Sequence, residues 1–216
     1  MSLIIEAVES SAEIRGTVVL LHGFTRSPAA LQDLSARCVV MGARTLRPAL
    51  GSLWWPTSTN NAGHLTRIAD QLRSMIGPGP VVVAGHSAGA SAGAWIAAEL
   101  VARGVDVTSL VCIDGVESPT HLIQRSWERL SAVPVRAVCA PPSRCNRQGA
   151  LAAWLEAQDR AAEIVIVPGS GHGDIEGASQ GIYRWACGDD PDQPAGQQVR
   201  DLVVRWIDEG LSPVPS

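Results

Sequence analysis

Short apolar runs alternate with longer segments of helical period along almost the whole chain. The runs Gly16 to Leu21, Val81 to Ala84, Ser109 to Ile113, Val135 to Ala140 and Ile164 to Val167 are apolar at most positions, and Arg44 to Pro48, around Leu46, reads as a further strand. Such runs fit strands covered on both faces. An earlier run, about Leu3 to Val8, reads as an edge strand. Between them the pattern predicts helices with recognisable punctuation. Ser27 and Pro28 supply a cap and a first-turn proline for a helix ending at Gly42, and Asn146 caps one that runs to about Ala162. Asn61 to Ile76, Ala88 to Arg103, a short stretch around Thr120 to Leu130, and Gly196 to Glu209 complete the set. The last places Val199, Leu202, Val203, Trp206 and Ile207 on one face. Strand and helix in strict alternation predict an α/β fold, a mostly parallel sheet with helices on both faces.

Composition narrows the picture without redirecting it. A chain of 216 residues that is 46% hydrophobic fits one globular domain spanning 1–216. Net charge is −4, every basic side chain is Arg, and no basic stripe occurs, so nucleic acid is not an expected partner. Met1 to Glu6 has no charged leader, and no window approaches 18 uninterrupted apolar residues. The expectation is a cytoplasmic protein without a membrane partner. Five cysteines at irregular spacing, Cys112 and Cys139 among them inside apolar runs, read as core thiols rather than a disulfide framework. No C-x-x-C or H-E-x-x-H spacing suggests a metal. The polar segment Cys187 to Gln198 reads as a surface loop. Its Asp189, Asp190 and Asp192 are most simply a solvated charge run, with a weak cation site as the alternative.

The candidate chemistry lies at the ends of the strands. Val81-Val82-Val83-Ala84 runs into Gly85-His86-Ser87-Ala88-Gly89 and then into an alanine-rich helix with small residues at Ala90, Ala94 and Ala97. This is the G-x-S-x-G pattern at a strand-to-helix turn, in which glycines allow a strained turn that projects the serine hydroxyl from the sheet. A serine hydroxyl is a weak nucleophile at neutral pH, so the elbow needs a base and donors for an oxyanion.

Val18-Val19-Leu20-Leu21 ends in His22-Gly23-Phe24, and with the elbow and a late histidine this resembles the α/β-hydrolase superfamily. The resemblance covers about Gly16 to Gly210. It implies a single α/β-hydrolase domain with Ser87 as nucleophile and an oxyanion hole formed by the backbone amides of Phe24 and Ala88. His172, in Gly169-Ser170-Gly171-His172-Gly173 after the last main strand, matches the family's base. His22 and His86 belong to the motif turns and read as structural. His64 and His121 lie on or near helices as surface or rim residues.

The acid departs from the commonest family pattern. After Val135 to Ala140 the chain reads Pro141-Pro142-Ser143-Arg144-Cys145-Asn146, which contains no carboxylate. Some family branches place the acid one strand earlier, and the matching strand end here is Ile113-Asp114-Gly115. Asp114 is therefore the expected acid, with Glu117 or an altered or missing acid as alternatives. Residues 117–133 leave room for a minimal lid, and 173–198, which carry Tyr183 and Trp185, form an insert before the last helix. Trp54 and Trp55 are candidate pocket walls.

The implied function is hydrolysis of a carboxylic ester or thioester through an acyl-enzyme, with no cofactor and with a small or carrier-bound acyl substrate as partner. Two alternatives stay open. One is a biosynthetic homologue catalysing cyclisation, acyl transfer or elimination, and the other is a non-catalytic binding homologue.

Overall fold

A computed structural model describes residues 4–9, 13–51, 60–160, 162–176, 187 and 194–212. Among the described residues seven strands form one sheet: β1 (Ile5–Val8), β2 (Gly16–Leu21), β3 (Ala43–Pro48), β4 (Val81–His86), β5 (Val107–Ile113), β6 (Val135–Cys139) and β7 (Glu163–Ile166). Their order is β1-β3-β2-β4-β5-β6-β7. Only β1, at the edge, runs antiparallel to its neighbour.

Six helices among the described residues connect them: α1 (Gln32–Val40), α2 (Ala62–Met75), α3 (Ala88–Ala102), α4 (Leu122–Ser126), α5 (Ala150–Glu156) and α6 (Pro194–Leu211). Successive strand residues point to opposite faces, and the core divides accordingly. Val19, Leu21 and Val83 pack with α2 to α5 on one face, whereas Val18, Leu20 and Val82 pack with α1 and α6 on the other. Each fully buried Val or Leu of this kind contributes about 1.5–3 kcal/mol of transfer free energy. Helix α3 is buried nearly all round, from Gly89 through Leu100, which explains its small residues.

The connections place the site. From β2 the chain leaves by α1 on one face toward the edge, and from β3 it returns by α2 on the other face to β4. At that reversal the loops leaving β2 and β4 diverge to opposite faces and leave a crevice at the carboxyl ends of the strands. His22-Gly23-Phe24 and Ser87 both stand there.

Three helices are shorter than the sequence pattern predicts: the stretch around Thr120 to Leu130 holds α4 and then a 3-10 turn, Glu128–Leu130, and α1 and α5 are cut short as well. Ser27 makes no side-chain cap, and Pro28–Leu31 forms a 3-10 turn before α1 starts at Gln32. Asn146 does accept the Gly149 amide, at 3.0 Å, but it caps a 3-10 turn. Gln148 (φ 60°) and Gly149 (φ 71°) interrupt the helix before α5 begins, and α5 ends at Glu156 rather than near Ala162.

Candidate active site

Ser87 follows β4 directly and has φ 55° and ψ −124°, a conformation that costs a non-glycine residue about 1–3 kcal/mol. Its main chain is over-determined. Ser87 N donates to the Ile113 carbonyl, and the Ser87 carbonyl accepts from the amides of Ala90 and Val116, all at 3.0 Å. The flanking glycines permit this contact. A Cβ on Gly85 would lie 2.2 Å from the Gly89 carbonyl oxygen, and one on Gly89 would lie 2.3 Å from that of Leu21.

His172 reaches Ser87 from the loop after β7. Its Nε2 accepts from Ser87 Oγ at 3.0 Å, and its Nδ1 donates to Asp114 Oδ2 at 2.5 Å. The loop is held on several sides. Gly171 N donates to Asp174 Oδ2 at 2.7 Å, and Arg200 of α6 donates to the Asp174 carbonyl at 2.7 Å. Asp114 follows β5 directly and has φ 39°, which Asp tolerates better than most residues. Its other oxygen, Oδ1, accepts from Ala140 N at 3.0 Å and Asn146 Nδ2 at 3.1 Å. The structure thus brings Ser87, His172 and Asp114 into one hydrogen-bonded line. The Nδ1–H tautomer leaves the Nε2 lone pair facing the hydroxyl, the arrangement a general base requires.

Glu117 is occupied elsewhere. Its carboxylate accepts from Ser91 Oγ and from the amides of Ser118, Ile123 and Gln124 at 2.7–3.2 Å, which holds the start of α4. Asn146 and Ala140 are the residues that reading the sequence missed. Both belong to the loop after β6, where the missing carboxylate was sought, and that position was the available signal.

Phe24 and Ala88 line a cleft of about 440 Å³ together with Ser87 and His172. Their amides have no hydrogen-bond partner among the described residues, and Ala88 opens α3, where the helix leaves its first amides free. An adjoining hollow of about 370 Å³ shares Glu117 and Arg147 with the cleft and is walled by Leu151 and Trp154. His121 lines this hollow, whereas His64 lies in the first turn of α2 outside both. Trp54, Trp55, Tyr183, Trp185 and Asp189, Asp190 and Asp192 lie outside the described residues. Among the described residues no cluster of three or more His, Cys, Asp or Glu is arranged to hold a metal, and no helix is long and apolar enough to cross a membrane.

The cysteine reading needs correction. Cys145 and Cys187, both on the cleft wall, form a disulfide with a Cα separation of 5.8 Å. Their 42-residue separation hid a pairing that exists only because the fold returns residue 187 to the loop after β6. Cys38, Cys112 and Cys139 are buried free thiols, as expected, and burial pushes each up to about 12. His22 is structural in the sense expected: Nδ1 donates to the Gly23 carbonyl at 2.9 Å and Nε2 accepts from Leu50 N at 3.1 Å. Burial lowers its pKa further than the Gly23 hydrogen bond raises it, so it stays neutral.

Comparison with known proteins agrees with this architecture. The family model of the thioesterase domain matches residues 56–134, a stretch that holds Ser87 and Asp114 but not His172. A dienelactone hydrolase from Anabaena variabilis superposes with a TM-score of 0.68 at 18% identity, covering 97% of this chain and 93% of that one. Est1E from Butyrivibrio proteoclasticus, solved with ferulic acid bound, gives a TM-score of 0.69 at 14% identity over 98% and 96% of the two chains. The thioesterase domain from the curacin biosynthetic pathway gives 0.63 at 15% identity over 94% of each. No protein of curated function matches the sequence. At these identities the likeness is one of fold.

Proposed function

For a chain with the α/β-hydrolase fold, we propose a serine hydrolase that cleaves a carboxylic ester or thioester through an acyl-enzyme on Ser87. One observation carries this reading: His172 bridges Ser87 Oγ and Asp114 Oδ2 with its two ring nitrogens. As the serine oxygen attacks the substrate carbonyl, its proton passes to His172 Nε2 and Asp114 stabilises the resulting imidazolium. The oxyanion takes hydrogen bonds from the amides of Phe24 and Ala88. The tetrahedral intermediate expels an alkoxide or thiolate, which receives the proton from His172. Water, deprotonated by the same imidazole, then releases the acid. Exposed Phe24, Arg144 and Arg147 line the cleft, so water has a path to the acyl-enzyme.

The thioester side of the reading is supported by the family match over residues 56–134, and the ester side by the resemblance in fold to Est1E. The disulfide bears on localisation. Such bonds persist in oxidising compartments, so Cys145–Cys187 supports a site of action there over the cytoplasm.

The test is labelling by an alkyl fluorophosphonate. Wild-type protein is expected to gain one adduct, located at Ser87 by peptide mass spectrometry, and Ser87→Ala to gain none and hydrolyse neither ester nor thioester. A folded wild-type protein that is not labelled would falsify the assignment.

A further inference from the structure

A buried chain of charged hydrogen bonds crosses the three loops that meet at Ser87. Arg26, in the turn that also presents Phe24, places Nε 2.7 Å from Glu176 Oε2. Glu176, in the 3-10 turn just after the His172 loop, places Oε1 2.9 Å from His86 Nδ1. The opposite nitrogen of the same ring, His86 Nε2, stands 2.7 Å from the main-chain carbonyl of His172. His86 and Glu176 are only 3% and 4% exposed, so water does not replace these partners.

The geometry fixes the protonation of His86. A neutral imidazole has one N–H and one lone pair, and both His86 nitrogens face oxygens that carry no proton. In either neutral tautomer one contact would set lone pair against lone pair. Burial would raise the pKa of Glu176, but the hydrogen bond and charge of His86 and then the charge of Arg26 outweigh it and hold the carboxyl below the usual carboxylate range, so it has no proton to supply. His22 provides the internal contrast, because there a backbone amide fills one nitrogen and the ring is neutral. The groups facing His86 are Glu176 and, behind it, Arg26, then His172 and Asp114, and finally His22. Burial alone would lower the pKa of His86. The hydrogen bond to Glu176 and its charge, with the His172 carbonyl and Asp114, outweigh burial and raise it.

We propose that His86 is a positioning residue held as an imidazolium, which anchors the main-chain carbonyl of His172 and ties it through Glu176 and Arg26 to the turn carrying Phe24. The role rests on the reading of Ser87 and His172 as nucleophile and base. A pH dependence follows from it. Because the folded-state pKa is raised above the ordinary value of 6.5, the anchor is complete below that pH and is lost as pH rises through the folded value. Deprotonation turns one of the two His86 contacts repulsive and frees one end of the chain. The conservative variant Glu176→Gln should behave differently. Its amide N–H can donate to a neutral His86 Nδ1 while its oxygen accepts from Arg26, closing the network without the charge.

The experiment combines three readouts across pH: kcat/KM, the rate of fluorophosphonate labelling, and the ¹⁵N ring shifts of His86. In wild type the His86 signals should show an imidazolium at pH 6 and titrate above it, and kcat/KM should fall reversibly along the same curve. In Glu176→Gln the ring should be neutral across this range and the alkaline fall absent. Glu176→Ala leaves the anchor open, and a displacement of His172 near 1 Å is expected to lower kcat/KM about 100-fold, mostly in kcat. Should the alanine variant fail to fold, the wild type and Glu176→Gln still decide. A neutral His86 in wild type at pH 6, or the same alkaline fall in both proteins, overturns the proposal. If His86 titrates as expected but neither protein is labelled at Ser87, the reading of the site fails instead.

Discussion

The ends of β5 and β6 lie side by side in the sheet and do complementary work. β5 runs directly into Asp114, whose Oδ2 accepts from His172. β6 ends without a carboxylate, yet the Ala140 amide and the Asn146 side chain both donate to Asp114 Oδ1. One strand end presents the carboxylate and the other holds it. A carboxylate at the end of β5 therefore still draws on the loop after β6. A carboxylate with one oxygen committed to two donors can turn only one oxygen toward the imidazole, and this fixes the line from Asp114 through His172 to Ser87.

The largest break in this comparison is Asp114→Asn. The amide keeps the shape of the side chain but removes the charge and can turn an N–H toward His172 Nδ1, which selects the wrong tautomer. A loss of about 10⁴ in kcat is expected, measured on a simple ester with folding checked by circular dichroism. Wild-type activity in this variant would remove Asp114 from the chemistry. Asn146→Ala tests the other strand end. It deletes one of two donors to a charged oxygen, a hydrogen bond worth about 1.5–3 kcal/mol, so kcat should fall about 10- to 100-fold. Asn146 also accepts from the amides of Ser143 and Gly149, so the melting temperature should fall as well. An unchanged kcat beside a lower melting temperature would mean that Asn146 shapes its own loop and not Asp114.

The contrast also explains what was legible in the sequence. β-branched runs, helix period and Gly85 and Gly89 are local signals, and they marked all seven strands, the edge strand β1 included, together with the elbow and the late histidine. Asp114 was readable because a strand end is a position in the chain as well as in space. The support from Asn146 was not, because Asn146 reads locally as a cap and its second role depends on β6 lying beside β5. The Cys145–Cys187 disulfide and the pairing of His86 with Glu176, 90 residues away, are hidden for the same reason. Each joins loops that only the finished sheet brings together. The lengths of α1 and α5 failed differently: periodicity continued through 3-10 turns that backbone geometry made separate.

Glu117→Gln is the smallest expected effect on chemistry and sharpens the comparison by its outcome. Glu117 is three residues beyond Asp114 and lines the cleft, yet its carboxylate serves Ser91, Ser118 and the start of α4. Glutamine retains one acceptor oxygen for Ser91 Oγ and the amides of Ser118 and Ile123, but sets an NH₂ group against the Gln124 amide. Two donors then face each other at a contact that solvent reaches. Because water can serve the Gln124 amide, the cost should be at most about 1 kcal/mol of stability, read as a slightly lower urea midpoint with an unchanged slope. Because the line from Asp114 to Ser87 is untouched, kcat and the rate of fluorophosphonate labelling should stay close to wild type. A fall in kcat as deep as that of Asp114→Asn would reverse the assignment and make Glu117 the carboxylate that orients His172 during turnover.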